Sequence, residues 1–344
     1  MHMADALLSP AVGGVMWVAA ATTLAYSSQK IHKEERIERE ETVEFRKKVP
    51  LMGVLGALVF ASQMINFTIP GTGSSGHIGG GMLLAALLGP EAGFLTLASV
   101  LVIQALFFAD GGLLALGCNM INMGFFACFI GFPFIYKNIL KKEFSPTKIM
   151  VASIVSVVVA LQLGAFGVVL ETSLSGISEL PFSTFVLLMQ PIHLAIGLVE
   201  GVLTGAVLIF VYESRPELLV GYNGEGKQGK LSIKGVITTL LVCTVLIGGG
   251  LSLFASSNPD GLEWSIEKVT GSTDIDRTTS VGSTLENIQE KTAFLPDYAF
   301  KSDEENSMGT TISGIVGSDI TLGLAGVIGL GVRSKKKKEE KLHI

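Results

Sequence analysis

The sequence predicts an all-α polytopic membrane protein, and three observations carry that prediction. Of 344 residues, 49% are hydrophobic and only 16% are charged, with a mean hydropathy of +0.55. That balance lies outside the range of ordinary soluble domains. The apolar residues gather in runs of about 20, the length that crosses a bilayer core as a helix. Finally, none of the 25 Lys and Arg residues falls inside a proposed run. The net charge of −5 is set by one acidic segment and names no partner; nothing points to nucleic acid. Cys118, Cys128 and Cys243 sit in apolar runs without CxxC spacing, so they read as small buried residues rather than a disulfide or zinc framework. The start, MHMAD, has an acid and no basic n-region, which argues against a cleaved signal peptide.

The runs follow in order. Leu7 to Tyr26 is a first span, followed by a segment dense in both charge signs, Ser28–Lys48, that includes a surface His32. A second span covers Leu51–Phe67. The run TIPGTGSSGHIGGG, Thr68–Gly81, with one proline and six glycines, breaks regular structure, and Met82–Leu88 is a half-length apolar piece. Full spans then cover Ala92–Phe108, Leu113–Tyr136, Ile149–Leu170 and Phe185–Val211. The expected unit is thus a seven-helix bundle of six full spans and one short one, over residues 1–220. A linker at 221–230 (GYNGEGKQGK) leads to a two-span accessory domain, 231–344, with spans at Val236–Phe254 and Ile312–Val332.

Loop charge sets the expected orientation. Residues 28–50 hold seven Lys/Arg, 136–149 four, 213–235 four and 333–344 six, whereas the loops at 68–81, 110–112 and 171–184 hold none. The positive-inside rule then places the N-terminus outside and the C-terminus inside. Residues 256–310, with the remaining four, form an outer segment long enough to be exported whatever its charge.

An outward N-terminus gives Met1 and His2 a chemistry. The free α-amine, the His2 amide nitrogen and His2 Nδ1 can close adjoining five- and six-membered rings around one metal ion. A deprotonated amide selects metals that take strong in-plane nitrogen donors: Ni(II), Cu(II) or low-spin Co(II). The fourth corner must come from elsewhere, and the chain holds only five histidines. His77, in the glycine-rich run on the same outer side, is the candidate. The competing readings are a frayed terminus and an exposed loop histidine. A planar set of four nitrogens would favour nickel or low-spin cobalt over tetrahedral zinc. Met3, Met64, Met120, Met123 and Cys118 offer a copper(I) alternative, although methionine at this density is more often packing.

Other residues read as supporting ones. His193 and Glu200 share a helical face two turns apart, and Gly197, Gly201 and Gly205 continue nearly that stripe, so the face reads as packed against a second helix. Asn119 and Asn122 are placed to hydrogen-bond across the bundle and fix the metal loop. Asp110 and Glu171 end outer spans where a cation would be attracted. Gly53, Ala57 and Ala61 form a small-residue face suited to a helical partner. No GxxxxGK[ST], HExxH or nucleophile triad is present, so no ATPase or other enzyme is indicated and no catalytic cofactor is expected. An intramembrane metalloenzyme built on His193 and Glu200 lacks a second ligand at i+4. A stand-alone ion-coupled carrier would be expected to show paired half-helices, and only one short segment is visible.

MHMADALLSP, GTGSSGHIGGG, FFADGGLLALGCNMINMG and PIHLAIGLVEG, taken in order, closely resemble the CbiM/NikM family over roughly residues 1–215. These are the substrate-binding (S) membrane components of energy-coupling factor transporters for cobalt and nickel. The resemblance implies a metal site from Met1, His2 and His77, with Ni(II) or Co(II) as the transported ion. It also implies a transmembrane coupling (T) subunit, for which the Gly53/Ala57/Ala61 face would be a docking surface, and cytoplasmic ATPase (A) subunits. Location in a prokaryotic cytoplasmic membrane follows, with a cobalt-selective role in cobalamin biosynthesis as the alternative to nickel. Residues 231–344 resemble the PDGLE accessory domain of such systems, named for the run Pro259–Glu263. Its outer segment carries eleven acids and no His or Cys, so it is expected to hold no tight metal site.

Overall fold

The computed structural model describes residues 2–38, 48–178, 180–224, 229–273, 279–301 and 308–334. Helices dominate. Helix α1, Pro10–Glu38, starts at Ser9, whose hydroxyl accepts from the Val12 N–H, with Pro10 as its first residue. It runs straight through the boundary expected near Tyr26, and Lys30 on its far part meets Glu91 at 2.5 Å. Helix α2, Lys48–Gln63, is followed by an unforeseen antiparallel hairpin, β1 (Phe67–Ile69) and β2 (Ser74–Gly76). The half-length piece is helix α3, Gly81–Leu88, buried throughout, and Gly89-Pro90 turns the chain into α4, Pro90–Phe108.

Helix α5 spans Leu116–Leu140, and its turns between Met120 and Tyr136 are widened to the i→i+5 pattern, with Pro133 inside. Helix α6, Pro146–Ser175, is capped by Ser145 and closed by Gly176 in the left-handed region. Helix α7, Phe182–Ser214, lies beside it. The accessory unit comprises α8 (Ile233–Gly249), α9 (Gly261–Thr270), α10 (Ser280–Thr292) and α11 (Met308–Ser334). Among the described residues, five helices are long and apolar enough to cross a membrane: α4, α5, α6, α7 and α11. The shorter apolar helices are Pro50–Gln63 and Ile233–Gly249. This is a multi-pass all-α membrane protein. Helix α1, rich in Gly, Ala and Thr, falls outside those two groups because its small and hydroxyl residues dilute its hydropathy.

Small residues set the helix spacing. A Cβ on Gly197, Gly201 or Gly205 would lie 3.2, 2.6 and 3.2 Å from the Cα atoms of Val158, Ile154 and Met150. The stripe therefore seats α7 directly on the α6 backbone, two rows of four-residue spacing in register. The second stripe has a partner that differs from the one expected. Leu322 of α11 puts its carbonyl 2.8 Å from where a Gly53 Cβ would sit, and the Ser318 hydroxyl donates to the Ala57 carbonyl at 3.4 Å. Gly248 of α8 lies against Ala61. The Gly53/Ala57/Ala61 face is thus covered by the chain's own accessory helices, which are tethered to it, and is not open to a separate coupling subunit.

Helices α8 and α11 cross where Gly248 meets Gly314, and a Cβ on Gly314 would clash with the Gly248 carbonyl. We expect Gly314→Val to destabilise the full chain by about 1–3 kcal/mol, the usual cost of overpacking, and to lower the midpoint of thermal unfolding in detergent. An unchanged midpoint would show that this crossing is not a tight one.

Candidate metal centre

The site begins with how the chain end is held. The Met3 N–H donates to Asn119 Oδ1 at 2.8 Å, and Asn119 Nδ2 returns a bond to the Met3 carbonyl at 3.3 Å. The same carbonyl accepts from the Gly112 N–H at 2.9 Å. Asp5 Oδ1 accepts from the Ala115 N–H at 2.9 Å, and Met3 itself is fully buried. Residues 3–5 are therefore fastened to the corner between α4 and α5, and His2 follows from that anchoring. Met1 lies outside the described residues.

The His2 ring stacks on the His77 ring, with centroids 5.0 Å apart and planes inclined by 19°. Two segments separated by 75 positions of sequence thus meet at one point. His2 Nδ1 faces Asp110 Oδ1 at 3.2 Å, and His2 Nε2 has no partner among the described residues. His77 Nδ1 donates to the Ile78 carbonyl at 3.1 Å, which leaves Nε2 carrying the lone pair. That nitrogen faces Asp260 Oδ2 of the accessory unit at 4.0 Å. Burial lowers the pKa of both imidazoles, His77 to about 3, so both are neutral and able to coordinate at neutral pH.

The His77 segment descends from the hairpin into the bundle. Gly80 adopts a φ of +75°, and a Cβ there would come 2.6 Å from Val59 Cγ1, so the turn requires glycine. Its N–H donates to Glu200 Oε1 at 2.9 Å, and Gln63 Nε2 donates to the Gly79 carbonyl at 2.8 Å. Irregular backbone at this depth is thus satisfied by side chains, as a low-dielectric setting demands. Beneath His77 lies a cavity of about 30 Å³ whose lining includes Asn122, His193, Glu200 and Asp260. Such a volume holds a water or a single ion. His193 donates from Nδ1 to the Met189 carbonyl at 2.8 Å, while His193 Nε2, Glu200 Oε2 and Asn122 Oδ1 find no partner among the described residues.

The structure brings His2, His77 and Asp110 together, with His193 and Glu200 below. Asn119 fixes the chain end rather than the His77 segment. Asn122 instead donates to Glu171 Oε2 at 2.7 Å and faces Met3 Sδ at 3.8 Å, so Glu171 is buried and engaged, not an exposed cation attractor. Sequence reasoning missed Asp5, Tyr298 and Asp260. The Tyr298 hydroxyl donates to Asp110 Oδ2 at 2.5 Å and accepts from Gln104 Nε2 at 3.2 Å, and burial beside Asp110 keeps the phenol protonated. Among the described residues no three His, Cys, Asp or Glu side chains converge as a ready metal cage.

A protein-family description, "Cobalt uptake substrate-specific transmembrane region", matches residues 2–218. The chain belongs to the CbiM family. The PDGLE domain matches residues 234–334 of this CbiM-family chain. An Archaeoglobus fulgidus protein assigned as a fused nickel transport protein, NikMN, is 30% identical over 325 residues, covering 94% of this chain and 96% of that one. A Lactiplantibacillus plantarum protein assigned as a fused nickel transport protein, LarMN, is 32% identical, with 78% and 79% covered. The cobalt transport protein CbiM of Geobacter sulfurreducens is 26% identical, with 78% and 77% covered. A crystal structure of a transition metal transporter shares 31% identity and a TM-score of 0.53 over 66% of this chain and 100% of its own. The chain is therefore a membrane component of metal transport and not an enzyme.

The depressed imidazole values have a consequence for stability. Below about pH 6.5 the unfolded chain binds protons at His2 and His77, while the folded chain leaves His77 neutral down to about 3. The unfolded state then binds more protons, so stability falls as pH drops through that window. We expect hydrogen exchange at the amides of residues 74–80 to quicken at pH 5 relative to pH 7.5, after correction for intrinsic rates. His77→Gln should abolish most of the difference.

Proposed function

We propose that this chain is the substrate-capture component of an energy-coupling factor importer, taking Ni(II) from outside into a planar nitrogen site. The supporting observation is the stacking of His2 on His77 at 5.0 Å, with both rings buried and neutral. In this reading the Met1 amine, the His2 amide, His2 Nδ1 and His77 Nε2 form the four corners. The absence of a side-chain cage among the described residues agrees with a site built partly from backbone and terminal nitrogens. Loading requires the His2 ring proton to move from Nδ1 to Nε2, so that Nδ1 exchanges Asp110 for the metal, and it releases protons from the amine and the amide.

The wider assignment is also ours. Residues 1–220 form the metal-binding unit, joined by a 221–230 linker to the accessory domain at 231–344. The N-terminus lies outside, as loop charge indicates, and the ion is the substrate, with no catalytic cofactor. A T subunit and A subunits supply reorientation and ATP hydrolysis in the plasma membrane. Since α11 and α8 cover the α2 stripe, the T subunit docks on another lipid-facing surface. Cobalt is the second reading, favoured by the family description, and the metal's own spectrum separates the two.

Full-length protein with its native N-terminus should hold one equivalent of nickel by mass spectrometry, with a planar d–d absorption band. His2→Ala, His77→Ala and an N-terminal extension should each lower affinity by more than about 100-fold, the upper range seen when an outer-sphere partner is lost. The extension is the sharpest of these, since it moves the amine and alters no side chain. Metal retained in all three would refute the nitrogen site. Reconstitution with and without ATPase partners tests the assembly, and ATP-independent uptake by the chain alone would favour an ion-coupled carrier.

A further inference from the structure

The run Pro259-Asp260-Gly261-Leu262-Glu263 has a specific job for each residue. The Pro259 carbonyl accepts from the Ser75 N–H at 2.8 Å, and the Asn258 carbonyl accepts from Ser75 Oγ at 2.7 Å, so the segment lies along strand β2 like an added strand. Asp260 Oδ1 caps α9 by accepting from the Leu262 and Glu263 N–H groups, and Glu263 Oε2 accepts from the Asp260 N–H at 3.0 Å. That reciprocal box fixes the Asp260 rotamer and turns Oδ2 toward His77. Gly261 sits where a Cβ would come 3.0 Å from Ile196 Cδ1 and 3.1 Å from His193 Cε1, so the missing side chain lets the run settle closely onto α7. Leu262 is buried, and Trp264 Nε1 donates to the Thr72 carbonyl at 3.0 Å, pinning α9 across the hairpin tip.

The same segment reaches the other histidine. Gln289 of α10 donates to the carbonyls of Ala105 at 2.8 Å and Gly111 at 2.7 Å, on either side of Asp110. Tyr298 holds Asp110 Oδ2, leaving Oδ1 for His2. Each imidazole therefore faces a carboxylate oxygen that the accessory unit either supplies or orients.

We infer that the outer segment of the accessory unit is a wall of the metal site, in which Asp260 is the entry carboxylate for an arriving divalent transition-metal ion. The inference rests on the nitrogen site proposed above and adds a residue from a different part of the chain. Its chemistry is that of a fixed negative charge in a low-dielectric recess, which raises local cation concentration and the rate of capture. A carboxylate oxygen is a weaker in-plane donor for nickel than amide or imidazole nitrogen, so the ion passes Asp260 and comes to rest on the nitrogens.

The test is stopped-flow association of Ni(II) with the full chain, native N-terminus intact, at low and high ionic strength. Asp260→Asn keeps the helix cap, because asparagine is as good an N-cap as aspartate, and removes only the charge. We expect it to bind one equivalent with the same planar band, to associate roughly tenfold more slowly at low salt, and to show a weaker salt dependence. Glu286→Gln, which removes an exposed acid of the same outer segment, should match wild type. Unchanged association in Asp260→Asn, or equal slowing in Glu286→Gln, would overturn the inference. So would loss of bound nickel from Asp260→Asn alone, which would make Asp260 a ligand. A wild-type chain that binds no metal would overturn the nitrogen site as well, which separates the two failures.

Discussion

The exchange of hydrogen bonds between Met3 and Asn119 is the constraint on which the site depends. A chain terminus has the most conformational freedom of any segment, and a chelate built on it works only if that freedom is already removed. Here the ordering of residues 3–5 is done by groups at the corner between α4 and α5. Asn119 binds both the N–H and the carbonyl of Met3, Gly112 adds a backbone bond, and Asp5 reaches the Ala115 N–H. His2 directly precedes those anchors. In the nitrogen site proposed above, that part of the entropy cost of binding would be met on folding, and a preformed site binds more tightly than a floppy one with the same donors.

Burial decides the protonation of the histidines in the same direction. A solvent-exposed imidazole is partly charged near neutral pH and must lose a proton to bind metal. In the recess beneath the accessory segment, burial is the largest influence favouring the neutral ring. Asp110 and Asp260 partly offset that preference, and both are oriented by groups on the accessory unit. The site is thus poised between desolvation on one side and nearby negative charge on the other. The balance belongs to the assembled chain rather than to either unit.

Much of the fold was legible because it rests on local signals. The spans follow from apolar run length and from the exclusion of Lys and Arg, and the short α3 from the piece between Gly81 and Gly89-Pro90. The Gly197/Gly201/Gly205 stripe correctly announced a close helix contact, since small residues at that spacing have few other uses in a bilayer. His77 could be singled out as the partner of His2 because so few histidines exist. What stayed hidden depends on contacts between distant segments. The β1–β2 hairpin straddles the end of the expected second span and the glycine-rich run, and its three-residue strands are too short for an alternating pattern to announce them. The widened turns of α5 are not announced by its composition. Asp260 could not be separated from ten other acids of its segment, because its distinction comes from Ser75 and His77 roughly 185 residues away. The α2 stripe was read as a docking face, as its composition warrants, but composition does not say which helix fills it.

The two family matches end and begin at residues 218 and 234, so the accessory unit is carried on a short connection. A separate subunit of the same sequence would have to find the hairpin by diffusion in the membrane and hold it by affinity alone. On a short tether, closure becomes an intramolecular event at an effective concentration in the millimolar range. Weak individual bonds, such as those from Ser75 and Trp264, are then sufficient to keep the wall in place. Fusion therefore substitutes connectivity for interface strength.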